Sequence, residues 1–130
     1  MASGARIVYV VDADDGVRQA LARLLHAAGL EARTCESVAA LQRDTVGEAA
    51  ACVVLDLSGS ARLGETARAG LSGRAGTMPI IAMSALDDAD TRRLARELGA
   101  QAFFRKPVDG AALVDAIAWA TRTESVQPAR

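Results

Sequence analysis

Residues 51–56 read ACVVLD, an apolar run that ends in a carboxylate. A short, valine-rich run of this kind is typical of a strand buried on both faces of a parallel sheet. The same pattern, an apolar run followed by polar side chains, recurs as IVYVVD at 7–12, PIIAMS at 79–84 and AFFRK at 102–106. A weaker run covers 30–35. We therefore predict five strands, at Ile7–Val11, 30–35, 51–55, 79–83 and 102–104.

Amphipathic segments lie between the predicted strands. Apolar residues at helical spacing from Val17 to Ala28 predict a first helix that ends at Gly29, and Ser37 is a typical N-cap for a short second helix. Two later helices are predicted, at 88–98 before Gly99 and at 109–122 with Asp109 as its cap, whereas 58–77 shows only a weak helix signal at 65–71. The alternation predicts an α/β fold in which a parallel sheet has helices on both faces.

The composition narrows the class of protein. The chain has 130 residues, of which 51% are hydrophobic and 24% charged, and this suits one globular domain. The formal charge of -1 disfavours direct nucleic-acid binding by this domain, which normally needs a basic excess. No run approaches the ~20 apolar residues of a membrane span, and no signal peptide is visible. We expect a cytoplasmic domain without membrane contact at residues 1–122, and a polar tail or linker at 123–130.

Four of the predicted strands lead into residues suited to phosphate chemistry. Ligands of open α/β sheets bind outside the carboxyl ends of the strands, so these side chains are expected on one rim. Carboxylates are hard ligands suited to Mg²⁺, and an ammonium and a hydroxyl can neutralise and hydrogen-bond a phosphoryl group. The rim residues are Asp12, Asp56, Ser84 and Lys106.

These motifs resemble the receiver domains of response regulators in two-component systems. The resemblance rests on VVD at 10–12, VVLD at 53–56, the Ser-Ala pair at 84–85 and Lys-Pro at 106–107. The segments VVDADDGVR and GAQAFFRKP are most similar to the NarL/FixJ group. The resemblance implies a flavodoxin-like (CheY-like) doubly wound sheet of order 2-1-3-4-5, a signalling domain and not an enzyme, and phosphorylation by a sensor histidine kinase. It also implies an output face, formed by helix 88–98, strand 102–104 and helix 109–122, through which such domains form homodimers and control transcription.

The resemblance also implies a role for individual residues. Asp56 takes the phosphoacceptor position, Lys106 the phosphate-pairing position and Ser84 the switch hydroxyl. Phe103 takes the position of the switch aromatic residue. The implied Mg²⁺ ligands are the carboxylates of Asp12 and Asp56 and the backbone carbonyl of Ser58.

The sequence departs from the family pattern at two places near the expected metal. Ala13 stands where a second acidic residue is usual, and Gly59-Ser60 replaces the usual Met-Pro pair. Asp14 or Asp15 could substitute for the missing carboxylate, but both are better suited to capping the first helix. We therefore expect Mg²⁺ to bind more weakly than in a typical receiver.

Two alternatives use the same residues differently. A phosphorylation-independent pseudo-receiver would keep the fold as an interaction module, as Ala13 and the missing Met-Pro pair suggest. A haloacid dehalogenase-like phosphatase would use Asp12 as nucleophile and Asp14 as general acid, although Asp56 would then have no role. A flavodoxin is disfavoured because the acidic loop after the first strand would repel the flavin phosphate.

Three further expectations concern single residues. Cys35 and Cys52 are expected towards opposite ends of the sheet, too far apart for a disulfide. His26 is expected to be a solvated residue and not a metal ligand. Trp119 lies away from the apolar stripe of the last helix and is a candidate anchor for a dimer or partner interface; the stripe consists of Leu113, Ile117 and Ala120.

Overall fold

The computed structural model describes residues 6–43, 50–58 and 78–125. Strands and helices alternate through most of these segments: β1 (Ile7–Val11), α1 (Asp15–Ala27), β2 (Glu31–Cys35), α2 (Val38–Arg43), β3 (Ala50–Asp56), β4 (Ile80–Ser84), α3 (Ala89–Glu97), β5 (Ala102–Arg105) and α4 (Gly110–Ser125). The weak helix signal at 65–71, the Gly59-Ser60 pair and tail residues 126–130 lie outside the described residues.

The five strands form one sheet in the order β2-β1-β3-β4-β5, and all neighbouring strands are parallel. This order confirms the predicted flavodoxin-like topology. The register pairs Asp56 with Met83 and Ser84 with Arg105, so the carboxyl ends of the three strands β3, β4 and β5 meet at one edge. The fold therefore assembles the rim that the strand endings predicted.

Alternating strand residues build a core on each face of the sheet, because successive side chains of a strand point to opposite sides. Val8 and Val10 belong to the core that packs against α1 and α4, and Tyr9 and Val11 to the core that packs against α2 and α3. Cys52 lies in the first core and Cys35 in the second; both are buried and no disulfide joins them. The prediction of no bridge is confirmed, since the sheet itself lies between the two thiols.

Local sequence signals explain most helix ends. Asp14 and Asp88 accept hydrogen bonds from backbone amides of α1 and α3, and Ser37 and Asp109 do so for α2 and α4. Gly29 and Gly99 follow α1 and α3 with φ of 86° and 79°, a conformation that favours glycine.

The predicted bounds needed small corrections. The strands shift by one residue at some ends, because Asp56, Ser84 and Arg105 still pair through their backbones despite their polar side chains. Helix α4 ends at Ser125 and not at Arg122, since no glycine or proline interrupts it there. Within the described residues, no helix is long and apolar enough to cross a bilayer.

Candidate functional site

Two carboxylates and one ammonium form the centre of the site at the carboxyl edge of the sheet. Lys106, the residue after β5, places its Nζ 2.7 Å from Oδ2 of Asp12 and 3.2 Å from Oδ1 of Asp56. Asp12 directly follows β1 and is only 2% exposed, whereas Asp56 is the last residue of β3. Lys106 thus bridges the ends of two neighbouring strands. The peptide bond between Lys106 and Pro107 is cis.

The ion pair changes the acidity of the lysine. Burial lowers the pKa of Lys106, because desolvation penalises the charged form. The hydrogen bond to Asp12 and the charge of Asp56 act in the opposite direction and outweigh the burial, so the pKa of Lys106 lies above its usual value. The lysine is therefore a firmly protonated cation within reach of any group bound to Asp56.

The loop between β1 and α1 is held by its own acidic residues. Oδ1 of Asp12 accepts a hydrogen bond from the amide of Asp14 at 2.8 Å, and Asp14 in turn caps α1 by accepting from the amide of Val17 at 3.0 Å. Arg18 donates to the backbone carbonyl of Asp12 at 2.7 Å and pairs with Asp15 at 2.9 Å. The expected capping role is thus taken by Asp14, and Asp15 supports the loop through Arg18.

The loops after β3 and β4 are joined by serine hydroxyls. The amide of Ser58 donates to Oδ1 of Asp56 at 3.0 Å. Oγ of Ser58 accepts from the amide of Ala85 at 2.9 Å and lies 3.5 Å from Oγ of Ser84. Ser84 is fully buried, and its Oγ also accepts from the amide of Leu86 at 2.9 Å. The predicted switch hydroxyl therefore lies next to the loop that follows Asp56.

Phe103 is half-buried and packs at the edge of the core beneath α3. The guanidinium of Arg92 lies over its ring, 5.1 Å from the centroid. Arg92 also makes two hydrogen bonds to the carboxylate of Asp87, which hold the pKa of that carboxyl below its usual value. The predicted switch aromatic is thus covered by an ion pair that belongs to the segment following β4.

The donors at this edge suit a magnesium ion. The predicted ligands are the carboxylates of Asp12 and Asp56 and the backbone carbonyl of Ser58, all oxygen ligands. No cluster of three or more acidic, histidine or cysteine side chains that could hold a metal occurs in residues 6–43, 50–58 and 78–125. Two carboxylates still fit Mg²⁺, because this ion commonly keeps several waters and one or two carboxylates.

The structure brings together Asp12, Asp56, Ser84 and Lys106, as the strand endings predicted. Three contributions were missed: the side chain of Ser58, the hydrogen bond from Arg18 to the loop, and the position of Arg92 over Phe103. The spacing of Arg18, three residues after Asp15, indicated only a helix-surface ion pair. No local signal pointed to the other two contacts, because each joins separate segments of the chain.

A model of the response regulator receiver domain matches residues 8–118. This chain belongs to the response regulator receiver family. It is 34% identical over 110 residues to the transcriptional regulatory protein FixJ of Azorhizobium caulinodans, and 35% identical over 113 residues to the transcriptional regulatory protein TdiR of Thauera aromatica. These matches cover 85% and 87% of this receiver but only 52% and 50% of the relatives, so it spans about half of their length.

Solved structures agree with the family. The response regulator StyR is 30% identical, with a TM-score of 0.79 over 94% of this receiver and 62% of that chain. A receiver protein from Pseudoalteromonas atlantica, at 21% identity, supports the fold alone, with a TM-score of 0.76 over 90% of this chain and 98% of that one. The family consists of signalling domains and not of enzymes; its members generally bind Mg²⁺ at the acidic pocket and interact with histidine kinases.

Proposed function

We propose that this receiver accepts a phosphoryl group on Asp56 from a sensor histidine kinase and thereby controls a transcriptional regulator. The observation that carries the proposal is the pair formed by Asp56 and Lys106, 3.2 Å apart at the carboxyl edge of the sheet. A carboxylate beside a firmly protonated lysine is both a nucleophile and the start of a binding site for phosphoryl oxygens.

The transfer follows from the contacts of Asp56. Its Oδ1 is held by Lys106 and by the amide of Ser58, and we assign the attack to Oδ2. A new bond forms between Oδ2 and phosphorus while the bond from phosphorus to the imidazole nitrogen of the kinase phosphohistidine breaks. The imidazole leaves with the electron pair of that bond and takes a proton from water. Lys106 and the hydroxyl of Ser84 then face the oxygens of the aspartyl phosphate.

We assign Mg²⁺ to Asp12, Asp56 and the backbone carbonyl of Ser58. When bound, the ion supplies positive charge that offsets the carboxylates and the transferring oxygens. Because Asp14 caps α1 and Ala13 carries no carboxylate, two acidic side chains serve the metal, which supports the expectation of weak binding.

We assign the effect of phosphorylation on partner binding to the output face, which corresponds to α3, β5 and α4. We assign the transmission of phosphorylation at Asp56 to this face to two residues, Ser84 at the end of β4 and Phe103 on β5. The relatives named as transcriptional regulators support an output in transcription, by a homodimer formed through this face. The receiver itself is assigned no nucleic-acid contact, and its place is the cytoplasm, where histidine kinases present their phosphohistidine.

The direct test is phosphoryl incorporation from acetyl phosphate with Mg²⁺, measured by intact mass. We expect one phosphoryl group on the wild-type protein and none on Asp56→Asn. Asp115→Asn, which removes an exposed carboxylate on α4, is the matched control and should incorporate as the wild type does. Incorporation that persists in Asp56→Asn would contradict the assignment.

A pseudo-receiver is the second candidate, and the observation that favours it is the helix-capping role of Asp14 beside Ala13. In that case the wild-type protein would incorporate no phosphoryl group, while its output face would still bind a partner. The phosphatase alternative is disfavoured, because the chain belongs to the receiver family and Asp14, the general acid of that alternative, is the N-cap of α1.

A further inference from the structure

The hydroxyl of Ser58 connects the loop after β3 to the loop after β4. Its Oγ accepts the amide hydrogen of Ala85 at 2.9 Å, across 27 residues of sequence, and lies 3.5 Å from Oγ of Ser84. The amide of the same serine donates to Oδ1 of Asp56 at 3.0 Å. Ser58 therefore contacts the phosphoacceptor through its backbone, and Ser84 and Ala85 through its side chain.

A phosphoryl group on Asp56 would compete with Oγ of Ser58 for the hydrogen-bond donors of this loop pair. It brings three strong acceptor oxygens to the end of β3, and Asp56 pairs in register with Met83, the residue before Ser84. Lys106 Nζ and the amide of Ser58 already contact Asp56, and we assign the hydroxyl of Ser84 and the amide of Ala85, which both lie next to Oγ of Ser58, as the further donors to the phosphoryl oxygens. In the unphosphorylated protein the amide of Ala85 already has an acceptor, which is Oγ of Ser58.

We propose that Ser58 is a positioning residue whose hydroxyl holds the segment of Ser84 and Ala85 in its unphosphorylated position and so opposes phosphorylation. This inference rests on the proposed function of Asp56. The Ser58 hydroxyl stabilises only the unphosphorylated form, since the amide of Ala85 cannot serve Oγ of Ser58 and a phosphoryl oxygen equally well. Removing the hydroxyl should therefore favour the phosphorylated form.

The test compares binding of beryllofluoride with Mg²⁺, a mimic of the aspartyl phosphate, by titration calorimetry. We expect Ser58→Ala to bind about two- to tenfold more tightly than the wild type, the effect of one net hydrogen bond. Ser58→Thr, which keeps the hydroxyl, should return towards the wild-type affinity. Ser37→Ala is the matched control, because it also removes a serine hydroxyl that accepts one backbone amide, at 3.1 Å, but at the start of α2.

A second measurement tests the contact without any phosphoryl mimic. Amide hydrogen exchange at Ala85 should become faster in Ser58→Ala, whereas the amide of Leu86, which donates to Ser84, should change less. Unchanged or weaker beryllofluoride binding in Ser58→Ala, together with normal binding by the wild type, would overturn the inference and leave the proposed function intact. Absence of binding in both proteins would contradict the proposed function, and the inference with it.

Discussion

Lys106 Nζ lies 2.7 Å from Oδ2 of Asp12, although 94 residues of sequence separate the two side chains. Asp12 is 2% exposed, so the lysine provides the positive charge that offsets a carboxylate removed from water. The same ammonium contacts Asp56 at 3.2 Å. The ammonium therefore offsets the charge of both carboxylates at the phosphoacceptor site.

Replacing the lysine should destabilise the protein. We expect Lys106→Met to lower the free energy of unfolding by about 1–3 kcal/mol at pH 7, because two carboxylates lose a charged hydrogen-bond donor. Urea denaturation measures the change. Arg93→Met is the control: it breaks an exposed pair with Asp90, 3.3 Å apart, and should cost less than about 0.5 kcal/mol. Equal effects of both substitutions would show that the Lys106 pair contributes no more than a surface pair.

The stabilisation by Lys106 should depend on pH in the alkaline range. Its pKa in the folded protein is raised above the usual 10.5, because Asp12 and Asp56 outweigh the opposing effect of burial. Stability from this group is therefore fully present below about pH 10.5, the unfolded value, and is lost as the pH rises through the folded pKa. The difference in unfolding free energy between wild type and Lys106→Met should be constant from neutral pH to about 9.5 and shrink above 10.5. A difference that grows in that range would contradict the raised pKa.

Restoring a second acidic side chain should strengthen magnesium binding. We expect Ala13→Asp to increase Mg²⁺ affinity by about 1–3 kcal/mol, which is roughly five- to 150-fold, the scale of an added interaction with a charged group. Titration calorimetry measures the affinity. Ala13→Asn adds an oxygen without a charge and should give a smaller increase. If Ala13→Asp binds Mg²⁺ as the wild type does, another acidic residue of the loop already serves the metal.

Trp119 is 57% exposed on α4, whereas Leu113, Ile117 and Ala120 on the same helix are buried. The predicted orientation of this helix is thus confirmed. We expect Trp119→Ala to weaken self-association with little change in unfolding free energy, since a large exposed aromatic side chain is a typical interface anchor. Sedimentation at several concentrations, with and without beryllofluoride, measures the association. His26→Ala, at an exposed position on α1, is the control, and association equal to wild type in both variants would refute the role of Trp119.

Much of the site could be predicted because its residues follow strands. Asp12, Asp56, Ser84 and Lys106 each close or follow an apolar run, and parallel strands bring such residues to one edge. The exact ends of the strands were less predictable, since a polar residue such as Ser84 can pair through its backbone within a strand. Contacts between side chains of separate elements were not predictable, because a contact such as that of Arg92 with Phe103 depends on how α3 packs against β5.

The sequence by itself determined the alternation of strands and helices, the helix caps at Ser37 and Asp109, and the identity of the four rim residues. These features depend on nearest neighbours along the chain, where side-chain pattern and backbone preference act directly. Only the tertiary structure decided that Lys106 bridges Asp12 and Asp56 and that Ser58 accepts the amide of Ala85. The register between parallel strands fixes those distances, and that register is set by packing of the whole sheet against its helices and not by any single segment.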